Sequence, residues 1–67
     1  MPIIFIHQFK RSSEVKARLA ERLTNILVEE CRVPADQVEV IFEDLPIDGY
    51  FKGGKLSAPT APNVIQQ

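Results

Sequence analysis

The sequence contains few of the residues that cross-link small domains. Its 67 residues include one cysteine, Cys31, one histidine, His7, and no tryptophan. A single cysteine excludes a disulfide within the chain, and one cysteine with one histidine is a poor ligand set for zinc. A chain of this length buries only about 60% of the surface that its unfolded form exposes. Oligomerisation is therefore the expected source of further stability, and no metal or other cofactor is expected.

The sequence also lacks an excess of charge of either sign. Its formal net charge is −1, so the basic stripe typical of nucleic-acid-binding proteins is missing. No apolar run approaches the ~20 residues that span a membrane, and the apolar N-terminal stretch lacks the charged leader of a signal peptide. We therefore expect a cytoplasmic protein that binds neither nucleic acid nor membranes.

The distribution of apolar residues predicts a strand, a helix and a second strand. Residues 2–9 are rich in isoleucine and phenylalanine and predict a strand that is largely apolar on both faces. Ser12 or Ser13 is a suitable N-cap for a helix whose apolar residues recur at helical spacing until Pro34 stops it. Residues 37–43 alternate strictly and predict a second strand. The strands of such a β-α-β unit should be parallel, with a right-handed crossover.

The remainder of the chain predicts a hairpin and an arm. Residues 50–56 surround two glycines and predict a short hairpin or edge strand, whereas residues 57–67 carry two prolines and no periodicity. We therefore expect a domain at 1–56 and an arm at 57–67 that packs on a neighbouring subunit. One helix covers one face of a sheet that is apolar on both faces, so a second subunit should cover the other. The expected fold class is a small α+β subunit that assembles into oligomers.

Most candidate reactive residues have an ordinary structural interpretation. Cys31 lies on the apolar stripe of the helix, which favours a core thiol, and His7 lies among isoleucines, which favours a structural histidine. The segment 52–55, Lys-Gly-Gly-Lys, lacks the spacing of a nucleotide-binding loop. Arg11 is more informative. It follows the first strand, where a guanidinium would hold a carboxylate by a two-pronged hydrogen bond.

The first dipeptide supplies a second candidate. Met1 followed by Pro2 is normally a good substrate for methionine removal, which would leave Pro2 with a free secondary amine. A protein α-amino group titrates near pH ~8 in water, so such an amine can accept or donate a proton near neutrality. With Met1 attached, Pro2 is an amide without a basic lone pair. From the dipeptide alone, the ordinary interpretation is that Met1-Pro2 has no catalytic role.

The order and spacing of these features resemble the 4-oxalocrotonate tautomerase family. The resemblance covers roughly residues 2–56 and rests on an N-terminal proline at the head of a strand, an Arg-Ser pair, one helix, a second strand and a glycine hairpin after an aromatic residue. The matching residues are Pro2, Arg11, Ser12, Glu14, Lys16, Val38, Val40, Ile41 and the segment 49–54.

The resemblance implies a keto–enol tautomerase that acts on a small 2-oxo or enol acid. It implies that Pro2 is the general base, that Arg11 binds the substrate carboxylate, and that Phe51, or else Tyr50, lines an apolar pocket. The first loop is one residue shorter than in the family, so Lys10 competes with Arg11 for the carboxylate. A homo-oligomer is also implied, with a hexamer expected and a dimer or trimer as alternatives.

Glu39 departs from the family, which has a second arginine at this place in the second strand. A carboxylate within ~4–6 Å of the Pro2 amine would favour its protonated form. This leaves two alternatives open: a hydratase or hydrolytic dehalogenase in which Pro2 is the acid and Glu39 activates water, and a catalytically silent assembly or partner subunit. If the Glu39 side chain points away from Pro2 or pairs with Lys52 or Lys55, Pro2 can still act as a general base. Because Glu39 replaces one of the two arginines that would bind substrate carboxylates, a substrate with one carboxylate is favoured over a substrate with two.

Overall fold

The computed structural model describes residues 1–58, which form a β-α-β unit followed by a hairpin. This arrangement confirms the expected fold class of a small α+β subunit with parallel strands. The elements in chain order are β1 (Ile3–Phe9), α1 (Ser13–Cys31), a short 3₁₀ helix (Ala35–Gln37), β2 (Glu39–Leu45), β3 (Phe51–Lys52) and β4 (Lys55–Leu56).

The strands β1 and β2 pair in parallel over their full length, from Ile3 opposite Glu39 to Phe9 opposite Leu45. The second strand begins two residues later than the alternation predicts. Pro34 has an extended backbone, and the residues after it close a tight 3₁₀ turn before the chain straightens. A proline fixes its own φ and cannot continue a helix, so the turn is a local consequence of Pro34. The sequence pattern alone does not distinguish this turn from the first residues of a strand.

The helix begins where the side chain of Ser12 caps it. Its Oγ accepts a hydrogen bond of 3.2 Å from the backbone N–H of Val15, so Ser12, and not Ser13, is the N-cap. Glu14 lies in the first turn, where the helix dipole favours a negative charge. At the other end, Arg32 adopts a left-handed conformation with φ 59°, and its N–H donates to the carbonyl of Val28.

The helix covers only one face of the two-stranded sheet. Alternate residues on that face, such as Ile4 and Phe42, are half-buried. Ile3, Phe5 and Ile41 lie on the other face and are 51%, 56% and 38% exposed. Within residues 1–58 no side chain is fully buried. A single chain therefore leaves an apolar face uncovered, as the two-sided apolar pattern of the first strand predicts.

Cys31 is exposed, so the expectation of a core thiol is wrong for the single chain. The 19 residues of α1 span about 28 Å at 1.5 Å per residue, whereas each seven-residue strand spans about 23 Å. The helix is thus longer than the sheet, and its last residue has no strand to pack against.

The part of the chain that the structure describes contains no helix long and apolar enough to cross a bilayer. It also contains no group of three or more histidine, cysteine or acidic side chains arranged to hold a metal ion. Of the arm expected at 57–67, only Ser57 and Ala58 fall within the described residues, and the rest lies outside them.

Candidate active site

Pro2 is held at the head of the sheet. It immediately precedes β1 and is half-buried, and its carbonyl oxygen accepts a hydrogen bond of 3.0 Å from the backbone N–H of Glu39. This bond continues the ladder between β1 and β2 by one residue beyond Ile3. The chain is therefore fixed up to Pro2, although ordinary termini fray.

Glu39 is the neighbour of Pro2 through this backbone hydrogen bond, and its side chain is exposed. It lies opposite Ile3 on the sheet face that the helix leaves uncovered. Within residues 1–58, Nε2 of His7 lies 3.7 Å from the carboxylate of Glu43, and Lys16 forms an ion pair of 2.9 Å with Asp44. Glu39 takes part in neither, so in this part of the chain it does not pair with a lysine of the hairpin.

A pocket of about 470 Å³ lies at the opposite end of the sheet, where β1 and β2 terminate. Both strands contribute their last residues, and the hairpin segment closes one side. The lining residues are His7, Gln8, Phe9, Arg11, Leu45, Tyr50, Lys52 and Ser57.

Local turn chemistry positions the hairpin against this pocket. A Cβ on Gly49 would lie 2.6 Å from Cγ of Pro46, so the turn that precedes the hairpin requires glycine there. Gly53 and Gly54 both have positive φ, 61° and 81°, as a two-residue hairpin turn of this hand requires. The N–H of Ser57 donates to the carbonyl of Tyr50 at 2.9 Å and ties the end of the hairpin to its beginning.

Aromatic and cationic groups share the wall of the pocket. The rings of Phe9 and Tyr50 meet edge to face, with centroids 5.4 Å apart and planes at 84°, which is a favourable aromatic geometry. Arg11 and Lys52 bring positive charge, and none of the eight lining residues is acidic. The Nε2 of Gln8 is buried without a hydrogen-bond partner among the described residues. The lining therefore combines donors and cations with two aromatic rings, which suits an organic anion.

Some of the site residues that the sequence suggests line the pocket, and others do not. Arg11 lines the pocket, whereas its competitor Lys10 does not. Tyr50 lines the pocket too, while Phe51 is 59% exposed and outside it, so a pocket role for Phe51 stays a prediction. Pro2 lies at the other end of β1, and a seven-residue strand spans about 20 Å or more. One chain therefore does not bring Pro2 and Arg11 together.

Comparison with known proteins places this geometry in a family. The family model described as "Tautomerase enzyme" matches residues 2–59. This chain belongs to the 4-oxalocrotonate tautomerase family. Its resemblance to "Probable tautomerase LL0574" of Lactococcus lactis subsp. lactis (strain IL1403) is 32% identity over 57 residues, 84% of this chain and 93% of the relative.

Solved structures of tautomerase homologues have the same fold. The crystal structure of the 4-oxalocrotonate tautomerase homologue TTHB242 superimposes with a TM-score of 0.78 at 28% identity, covering 84% of this chain and 90% of that one. TomN, a homologue in the tomaymycin biosynthetic pathway, gives a TM-score of 0.74 at 34% identity, covering 82% and 86%. The family resemblance of the sequence is thereby confirmed, and membership in the tautomerase family supports an isomerase-type activity.

Sequence reasoning missed several residues of the pocket. Gln8 and Phe9 are the last residues of a strand, and no sequence signal separates them from the rest of that strand. Lys52 belongs to a lysine-glycine segment whose ordinary interpretation is a solvated turn. The signal that would have found it is its position directly after Tyr50 and Phe51, at the hairpin that closes the pocket.

Proposed function

We propose that this chain is a keto–enol tautomerase for a small 2-oxo or enol acid, and that Pro2 is its general base once Met1 is removed. The observation that carries the proposal is the position of Pro2. In a chain of the tautomerase family, it is fixed at the head of β1 by the hydrogen bond from Glu39. A base must be held in place relative to its substrate to be effective, and this residue is so held.

The proposed reaction moves one proton and changes no oxidation state. The free amine of Pro2 accepts the hydroxyl proton of the enol and returns a proton to the adjacent carbon, which gives the ketone. Arg11 holds the carboxylate by paired charge-assisted hydrogen bonds. The apolar part of the substrate lies against the rings of Phe9 and Tyr50. No cofactor is needed for this proton transfer.

A site that uses both Pro2 and Arg11 requires two copies of the chain, because the two residues lie at opposite ends of β1. We therefore propose a homo-oligomer, a hexamer, in which Pro2 of one subunit meets Arg11 of another. The exposed apolar side chains of Ile3, Phe5 and Ile41 and the absence of a fully buried residue in 1–58 support such assembly. The core of a single described chain is too small to give a stable fold without association.

A second candidate activity rests on the position of Glu39. Its backbone N–H donates to the carbonyl oxygen of Pro2, so the two residues are backbone neighbours at the head of the sheet. If Pro2 is held protonated, it would act as an acid while Glu39 activates water, which gives hydration or hydrolytic dehalogenation of an unsaturated acid. A catalytically silent subunit is the remaining alternative, and it predicts no turnover at all.

The proline mechanism is tested by blocking the amine. Intact mass first establishes that Met1 is absent from the purified protein. Ketonisation of phenylenolpyruvate is then compared with that of a chain carrying one extra residue before Pro2, and we expect kcat/KM to fall at least about 100-fold, the contribution of a positioned base. A chain with one extra residue at the C-terminus is the matched control. Equal rates with a free and a blocked proline would refute the mechanism.

A further inference from the structure

Lys52 shares the wall of the pocket with Arg11. Its position in β3, opposite Lys55 in β4, is set by the two-glycine turn that follows it. Adjacent residues of a strand point to opposite faces, so a hairpin that turns Lys52 towards the pocket turns Phe51 away from it. The 59% exposure of Phe51 agrees with this alternation. The hairpin therefore places a cation where an aromatic residue was expected.

The described lining of the pocket carries positive charge and no negative charge. Arg11 and Lys52 lie at the end where the strands terminate, and none of the eight described lining residues is acidic, although Glu43 and Asp44 lie beside them in β2. Glu39 lies at the other end, beside Pro2. In the proposed assembly, a substrate with a carboxylate at each end would place its second carboxylate near Pro2 and Glu39 of the other subunit, where like charges repel. The arrangement favours a substrate whose anionic oxygens are all at one end.

We infer that Lys52 is a specificity-determining residue that binds the 2-oxygen of a 2-oxo or enol acid while Arg11 binds the adjacent carboxylate. The inference rests on the proposed function and names the substrate group that each cation contacts. A planar guanidinium matches the two oxygens of a carboxylate, whereas an ammonium group is a compact point charge with three donors that suits a single oxygen. The pocket volume of about 470 Å³ is that of a small-molecule site.

Gln8 adds a third donor to this wall. Its Nε2 is buried and lacks a hydrogen-bond partner among residues 1–58, although it belongs to a residue that lines the pocket. Buried amide groups are normally paired, and this donor belongs to the same pocket lining as the two cations, so a bound acceptor would complete it. Oxygen atoms of a 2-oxo acid are such acceptors.

Binding of two unreactive probes tests the assignment without turnover. Benzoylformate has a 2-oxo group but no hydrogen on a neighbouring carbon that could be lost, and phenylacetate is the same acid without the 2-oxygen. Calorimetric titration of the full chain with each probe gives the Kd. We expect Lys52→Gln to raise the Kd for benzoylformate about tenfold, the value of one charge-assisted hydrogen bond. The Kd for phenylacetate should rise less than about threefold.

Lys55→Gln is the matched control, because it removes the same charge from the same hairpin and does not line the pocket. We expect it to change either Kd less than about twofold, and Lys52→Arg to retain most of the affinity. Equal effects of the two lysine variants, equal losses for the two probes, or no binding by the native protein would overturn the assignment. Because neither probe needs a deprotonated Pro2, an inactive enzyme that still shows the Lys52 effect refutes the proposed reaction and leaves this inference standing.

Discussion

Glu39 and Pro2 are neighbours through a backbone hydrogen bond of 3.0 Å, and this proximity bears on the chemistry of the amine. A negative charge nearby stabilises the protonated form of an amine and therefore raises its pKa. A base is available only in its neutral form, so a carboxylate within ~4–6 Å of the free amine would shift base catalysis by Pro2 to higher pH. The exposure of Glu39 weakens this effect, because solvent screens the charge.

Replacing Glu39 by glutamine is expected to extend tautomerase activity to lower pH. The substitution removes a charge that would favour the protonated amine, so the acid limb of the kcat/KM profile should move to lower pH. The profile is measured with phenylenolpyruvate. Asp36→Asn, which removes a similar charge from the exposed 3₁₀ turn, is the control and should leave the profile in place.

The same variant separates the two candidate reactions. Loss of hydration activity with retention of ketonisation would assign water activation to Glu39. An unchanged pH profile would show that the carboxylate does not act on the amine.

Individual site residues were predictable from the sequence to different degrees. Pro2 and Arg11 were proposed because each has a distinctive sequence position, at the start of the chain and directly after the first strand, and Arg11 lines the pocket. Lys52 was not proposed, because whether a hairpin residue faces a pocket depends on a one-residue shift in the turn. Such a shift turns every side chain of the strand to the opposite face, and the amino-acid composition of the segment does not reveal it.

At the scale of secondary structure, the helix is fixed at its start by Ser12 and fastened to β2 by Lys16. The ammonium group of Lys16 lies 2.9 Å from the carboxylate of Asp44 and 5.9 Å from the ring centroid of Phe42. One side chain thus makes an ion pair and a cation–π contact with the same strand. These contacts fix the helix relative to the end of the sheet that bears the pocket.

Removing the cap is expected to destabilise the fold. Ser12→Ala eliminates the acceptor for the N–H of Val15 and should lower the free energy of unfolding by about 1 kcal/mol. Ser13→Ala is the control, since Ser13 lies within the helix and makes no cap, and alanine is the better helix former. Urea unfolding of all three proteins at one concentration measures the difference, because the stability of an oligomer depends on concentration. A loss for Ser13→Ala equal to that for Ser12→Ala would contradict the assignment of the cap.

The elements were predictable because each carries its own local signal. Period-2 alternation in the second strand, helical spacing after the serines and two consecutive glycines in the hairpin all correspond to observed elements. The 3₁₀ turn and the exposure of Cys31 were not predicted. The turn was missed because the alternating pattern runs through it unbroken, and the exposure of Cys31 depends on how far the helix extends past the sheet, which is a property of the packed chain.

At the scale of the whole molecule, a single chain is incomplete in two respects. Its sheet leaves Ile3, Phe5 and Ile41 exposed on one face, and its two proposed site residues, Pro2 and Arg11, lie at opposite ends of β1. Assembly would resolve both, by covering the apolar face and by bringing Pro2 of one subunit to Arg11 of another. In a symmetric oligomer every subunit would then give a proline to one site and an arginine to the next.

Mixing two inactive variants tests this account most directly. One chain carries an extra residue before Pro2 and the other carries Arg11→Gln, and each alone should be nearly inactive on phenylenolpyruvate. When the two are unfolded and refolded together in equal amounts, about a quarter of the sites formed between subunits should pair a free Pro2 with an intact Arg11 and regain activity. Recovery to about a quarter of the native rate is the predicted result. A rate no higher than the average of the two separate variants would contradict a shared site built from Pro2 and Arg11.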